Sequence, residues 1–164
     1  MSEIQIHKKP LEESRPRVSI ILLDWGCRER FHTLDWLGHQ TVAREQYELI
    51  WVELYDRVVP EVAEKADWLI TCHQAGMYHK HKGYNIGLLH ARGDIVTVCD
   101  SDAVFPPEFV QSLIEGFELD TRPEPKPLVL MHHEQRSNHL YPRKLDTNLR
   151  RAQEARRVER DVEH

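Results

Sequence analysis

Val18-Ser19-Ile20-Ile21-Leu22-Leu23, running straight into Asp24-Trp25, is almost wholly apolar and rich in β-branched residues. A run without polar alternation predicts a strand covered on both faces, as in a parallel sheet with helices packed on each side. The chain then repeats the theme. Glu48 to Leu54, Trp68 to Cys72 and Ile95 to Cys99 read as further strands. Between them, Arg28 to Leu37 carries Phe31, Leu34 and Leu37 on one side, Pro60 opens a short helix through Ala66, and His79 to Ala91 forms a helix closed by Gly93. After Pro106-Pro107, Phe109, Val110, Leu113, Ile114 and Phe117 recur at helical spacing. Thr121 to Pro127 is a loop and Leu128 to Met131 a fifth strand. Strands joined by helix-length crossovers predict an α/β fold, a mostly parallel sheet with helices on both faces.

The 164 residues are 40% hydrophobic and 30% charged, with 22 Lys+Arg against 27 Asp+Glu. That length suits a single domain with its own core. The net charge of −5 argues against a generic nucleic-acid binder, which needs a basic surface. No apolar run reaches the ~18 residues that a membrane-spanning helix needs. Residues 1–16 are polar and mixed in charge and read as a flexible leader without a secretion signal. Cys27, Cys72 and Cys99 are odd in number and form no C-x-x-C pair, which predicts free thiols and a cytoplasmic protein. Residues 17–133 form the expected domain, and 134–164 a charged, helical extension with a thin apolar stripe.

Ligands of open α/β sheets bind beyond the carboxyl ends of the strands. The first strand ends in Asp24-Trp25, the second at Glu53, the third at Cys72-His73 and the fourth in Asp100-Ser101-Asp102. Carboxylates two residues apart after a buried strand repel unless a cation compensates. Mg²⁺ or Mn²⁺ does so with one or two carboxylates, completing its shell with water and phosphate oxygens. Lys82-Gly83-Tyr84-Asn85-Ile86-Gly87 opens the preceding helix. Its two glycines, four apart on one face, permit close approach of a strand or a ligand. Lys82 is placed to meet a phosphate or carboxylate, with Asn85 three residues on. His79 and His81 do not share a helical face and are no preformed zinc pair. His132 or His133, after the fifth strand, is a candidate further metal ligand, and Trp36, Trp51 and Trp68 read as packing residues.

An apolar first strand, an acidic second strand end, K-G-x-N-x-G, A-R-G-D and then D-S-D resembles the nucleotide-binding half of the GT-A glycosyltransferases, specifically the inverting family 2 group, over about residues 17–120. The resemblance implies a Rossmann-like half that binds a nucleotide-diphospho-sugar, with UDP as the expected nucleotide. It implies that Asp24 and Trp25 flank the base and that Glu53 accepts a hydrogen bond from base or ribose. Lys82 and Asn85 would line the pocket, Asp100 and Ser101 would approach the ribose and metal, and Asp100 and Asp102 would bind Mn²⁺ or Mg²⁺. Leu23 and Asp24 stand where the family has proline and a small polar residue, and Glu53 where it has Asp. The implied activity is sugar transfer with inversion to an acceptor hydroxyl on a carbohydrate or lipid-linked glycan. No residue is assigned as catalytic base; Glu134 is a carboxylate just past the fifth strand. The alternative is a truncated, non-catalytic module that binds a nucleotide or a partner. A nucleotidyltransferase fits less well, because Asp24-Trp25-Gly26-Cys27-Arg28 is a poor phosphate loop.

Overall fold

In the computed structural model of the protein, residues 4–73 and 80–119 are described. The expected fifth strand, the charged extension, His79, His132, His133 and Glu134 lie outside them. The central strand is β2 (Val18–Asp24), with every residue buried. Ile20, Ile21 and Leu22 have no exposed surface. Burying such a side chain yields roughly 1.5–3 kcal/mol, which exceeds the ~1–2 kcal/mol cost of fixing its backbone.

Beside β2 lies β3 (Tyr47–Glu53), then β4 (Trp68–Cys72), while β5 (Ile95–Asp100) pairs with the other side of β2; all of these pairs are parallel. The sheet order is β1-β4-β3-β2-β5. Alternate side chains of β2 enter two cores. Val18, Ile20 and Leu22 pack with α1 (His32–Gly38), α2 (Pro60–Lys65) and α4 (Phe109–Glu118), whereas Ile21 and Leu23 pack on the side of α3 (Lys80–His90). Helices on both faces of a mostly parallel sheet are what the strand runs predicted.

The leader is not wholly a leader. Residues 4–8 form β1 (Ile4–Lys8), antiparallel to β4. Two interactions pin it: His7 Nε2 lies 2.9 Å from Thr71 Oγ1, and Lys8 Nζ donates to Ala63 O and Ala66 O at 2.7 and 2.6 Å. The latter places a cation at the carbonyl end of α2, where the helix dipole favours it. Helix α1 begins at His32 rather than Arg28, because residues 25–31 are committed elsewhere: Gly26 has φ +73°, and the Arg28 carbonyl accepts from Arg57. Trp51 packs edge-on to Phe31 as a core residue, but Trp36 is 43% exposed, on the outer side of α1.

Gly83 and Gly87 serve the strand. A Cβ on Gly83 would lie 2.2 Å from Leu23 Cδ1, and one on Gly87 would lie 2.4 Å from Ile21 Cγ2. Helix α3 thus meets β2 through backbone, which is why its apolar periodicity is weak. Because the β-branched Ile21 is stiff and fully buried, Gly87→Ala is expected to cost about 2 kcal/mol of unfolding free energy. Urea denaturation measures this, and an unchanged midpoint would show that α3 can lift off the sheet.

At the amino ends of the strands, the A-R-G-D motif has a structural task. Glu48, whose side chain is 2% exposed, accepts from Ser19 Oγ (2.7 Å), Arg92 N (2.7 Å), Arg92 Nε (3.0 Å), Arg92 Nη2 (2.9 Å) and Trp68 Nε1 (3.0 Å). Gly93 N donates to Ser19 Oγ at 2.8 Å. The motif therefore ties the end of α3 to β2 and β3.

Candidate donor site at the strand switch point

From β2 the chain steps to β3 and β4 through α1 and α2 on one face, then returns over the opposite face through α3 to β5. The order reverses between β2 and β5, and the crevice beyond the carboxyl ends at such a reversal is where ligands bind. The structure brings Asp24, Glu53, Asp100, Ser101 and Asp102 to that edge.

Asp24 and Glu53 are register partners on β2 and β3, both with at most 1% exposure. Asp24 Oδ1 accepts from Trp25 N at 2.8 Å and from Cys27 Sγ at 3.4 Å; among the described residues Oδ2 is buried without a hydrogen-bond partner. Such orphaned acceptors are rare in native interiors. Glu53 Oε1 accepts from Tyr55 N at 3.2 Å. Burial, aided by the charge of Asp24, pushes the Glu53 carboxyl up to about 7 against the opposing pull of Tyr55 N–H and Arg57. Burial and Asp24 likewise raise the Cys27 thiol to about 11, which keeps it protonated as a donor. The left-handed turn at Gly26, open to glycine without strain, carries the chain from Trp25 past Glu53.

Each aspartate of Asp100-Ser101-Asp102 holds a cation of the chain itself. Lys80 Nζ pairs with Asp100 Oδ1, which also accepts from Tyr84 OH at 3.0 Å. Burial tends to raise the Asp100 pKa, but Lys80, Tyr84 and Arg28 outweigh it and hold the carboxyl below its ordinary value. Arg28 Nη2 lies 2.9 Å from Asp102 Oδ2, its Nε 3.3 Å from Ser101 Oγ, and its guanidinium stacks 4.8 Å from the Trp25 ring centroid. The turn's backbone is fixed by α1. Thr33 Oγ1 lies 2.8 Å from both Ser101 O and Ala103 O, donating to one at a time, and His32 Nε2 donates to Asp102 O at 3.1 Å. Burial lowers the His32 pKa.

Lys82 and Asn85 lie apart from this cluster. They line a shallow cavity of about 410 Å³ with His81, Ile86 and Leu89, and none of the four carboxylates borders it. Lys80 precedes Gly83 by three residues and Gly87 by seven, a spacing that sets it on the glycine side of α3. That spacing was readable in the sequence. Arg28 carries no comparable signal, since loops have no period, and His32 and Thr33 open α1 without an apolar pattern that marks their partners. Among the other histidines, His73 Nδ1 pairs with Asp56, and His90 Nδ1 contacts Ile86 O at 2.8 Å with its ring against Trp68.

Among the described residues no group of three or more His, Cys, Asp or Glu side chains converges as a complete metal cage. The Asp100–Asp102 pair suits a different kind of ion, a hard divalent cation that shares its shell with substrate phosphates. In this structure each of the two carboxylates is paired with a cationic side chain, so a metal ion there would compete with Lys80 and Arg28.

The sequence family described as Glycosyl transferase family 2 matches residues 56–151, more than half of the chain, and the protein belongs to that family. The match includes Lys80, Asp100 and Asp102 and runs past the domain boundary expected at residue 133. Among solved structures, the chain is similar to a mannosyltransferase from Pyrobaculum calidifontis in complex with GDP-Man and Mn²⁺, with 22% identity and a TM-score of 0.49. The similarity covers 73% of this chain and 36% of that one, so the chain spans about a third of that enzyme's length. No curated protein matches. No helix among the described residues is long and apolar enough to cross a membrane.

Proposed function

We propose that this family 2 chain binds a nucleotide-diphospho-sugar across the carboxyl ends of β2, β3 and β5, within a transferase that passes the sugar to an acceptor hydroxyl with inversion. The observation that supports the reading is the placement of Asp24, Glu53 and Asp100 at the carboxyl ends of β2, β3 and β5, with Asp102 two residues on, beside the strand switch point. Asp100 and Asp102 would hold Mn²⁺ or Mg²⁺, with Ser101 beside them. The bound ion would supply positive charge to the departing diphosphate.

Asp24 and Glu53, with Trp25 flanking, would meet the base. The unpartnered Asp24 Oδ2 accepts an N–H, and Glu53, part-protonated near neutrality, offers a hydroxyl as well as an acceptor. An acceptor beside a donor complements the N3–H and adjacent carbonyl of uracil, and equally the N1–H and adjacent carbonyl of guanine; UDP is the nucleotide we propose, and the two are separated by titration. The acceptor would be a carbohydrate or lipid-linked glycan. A cytoplasmic setting accords with the free cysteines.

Calorimetric titration of UDP and GDP, with and without Mn²⁺, tests the site. UDP is expected to bind more tightly in Mn²⁺, and Asp102→Ala to remove that gain, a loss of about tenfold or more. A variant that binds UDP as the parent does, Mn²⁺ included, overturns the assignment. Donor binding with neither hydrolysis nor transfer would assign the chain to the non-catalytic, nucleotide-binding alternative.

A further inference from the structure

The two cations at the site are held in different ways. Arg28 is 11% exposed, bonded to Asp102 and Ser101, stacked on Trp25, and anchored through its carbonyl by Arg57. Displacing the guanidinium would break its contacts to Asp102, Ser101 and Trp25, on a backbone that Arg57 holds in place. Lys80 is 44% exposed and meets Asp100 and, at 5.4 Å, the Tyr84 ring. Its ammonium is a point charge on a flexible stem. Exposed pairs of this kind contribute roughly fivefold or less to an equilibrium. Tyr84 OH bonds Asp100 independently at 3.0 Å, so the carboxylate keeps a support when the lysine leaves.

We propose that Lys80 is an exchangeable counter-ion: it neutralises Asp100 while the donor is absent and transfers to the donor's diphosphate when nucleotide and metal enter together, while Arg28 stays on Asp102. This rests on the donor-site reading above. The charge arithmetic supports it. Lys80 cancels Asp100 and Arg28 cancels Asp102, so a bare dication meets two carboxylates that are already paired and must compete with the lysine. A diphosphate arriving with the ion restores the balance, because the released ammonium gains an anionic partner. Metal and nucleotide therefore favour each other's binding, by equal factors in both directions. Lys80 acts as a specificity-determining residue for the diphosphate, and the transfer gives the site low affinity for metal alone.

Lys80→Met separates the two halves of this exchange. Binding of Mn²⁺ without nucleotide, read from the electron paramagnetic resonance signal of the free ion, is expected to tighten about threefold to fivefold in the variant. Binding of UDP in saturating Mn²⁺, read by calorimetry, is expected to weaken about tenfold. Lys80→Arg, which keeps the charge, should restore most of the UDP affinity. The opposite signs are the signature, since general damage to the site would weaken both. If Lys80→Met leaves both affinities unchanged, or weakens bare Mn²⁺ binding, the exchange is overturned and the donor site stands. A parent protein that binds no UDP in Mn²⁺ overturns the donor site itself, and the exchange with it.

Discussion

Arg92→Met is expected to lower the unfolding free energy by about 3–5 kcal/mol, the usual result of stripping one partner from a buried ion pair. Glu48, 2% exposed in the parent, would keep Ser19 Oγ, the backbone N–H of residue 92 and Trp68 Nε1 but lose both guanidinium bonds. The arginine also donates to Leu11 O at 2.9 Å and lies 5.8 Å from the Trp68 ring, so packing is lost as well as charge. Pairing the change with Glu48→Gln should return part of the loss, because the stranded charge is gone. A double-mutant cycle in urea reads the coupling directly. The network lies at the amino ends of the strands, so nucleotide affinity of the folded variant should match the parent. A loss under 1 kcal/mol, or a coupling near zero, would show that Glu48 is content without its arginine.

At pH 8, Glu53→Gln is expected to be more stable than the parent, by about 3 kcal/mol, from a carboxyl raised from 4.5 to about 7. Folded, Glu53 keeps its proton up to about pH 7; unfolded, it releases it near 4.5. Between these values the folded state binds the extra proton. This contribution to stability is complete below 4.5 and is lost as pH rises through 7. Gln cannot titrate and resembles the protonated acid in shape and hydrogen bonding. The two proteins should therefore have similar stability near pH 4.5, diverge between 4.5 and about 7, and keep a constant gap above that. Urea unfolding at a series of pH values gives the difference curve, and parallel curves for parent and variant would remove the raised carboxyl from the account. A residue kept at such a cost points to function, and the same variant should bind UDP more weakly than the parent.

The strands were legible because β2 and β3 are buried on both faces, leaving apolar runs with little alternation. β1 escaped because its burial is slight: Ile4 and Ile6 are 46% and 48% exposed, and its anchoring comes from His7 and Lys8. Pro60, Gly93 and the α4 stripe marked helix ends and faces correctly, but Arg28 to Phe31 were drawn into a helix whose backbone is spent on tertiary contacts. At the site, position relative to the strand ends brought out Asp24, Glu53, Asp100, Ser101 and Asp102. Lys82 and Asn85 were singled out by their place in K-G-x-N-x-G and line a cavity on α3, while Lys80, two residues earlier, pairs with Asp100. The cations on the two aspartates come from segments 20 and 74 residues away in sequence, and no local pattern announces such pairings.

The first turn of α1 has two donors within reach of three successive carbonyls: His32 on Asp102 O, and Thr33 on Ser101 O or Ala103 O. Arg28, four residues before His32, reaches the Asp102 side chain of the same turn. The segment after β2 and the segment after β5 are therefore riveted into one mechanical piece across the crevice. A shift of either carries both aspartates along together, and the spacing between them is preserved however the rim of the cleft adjusts.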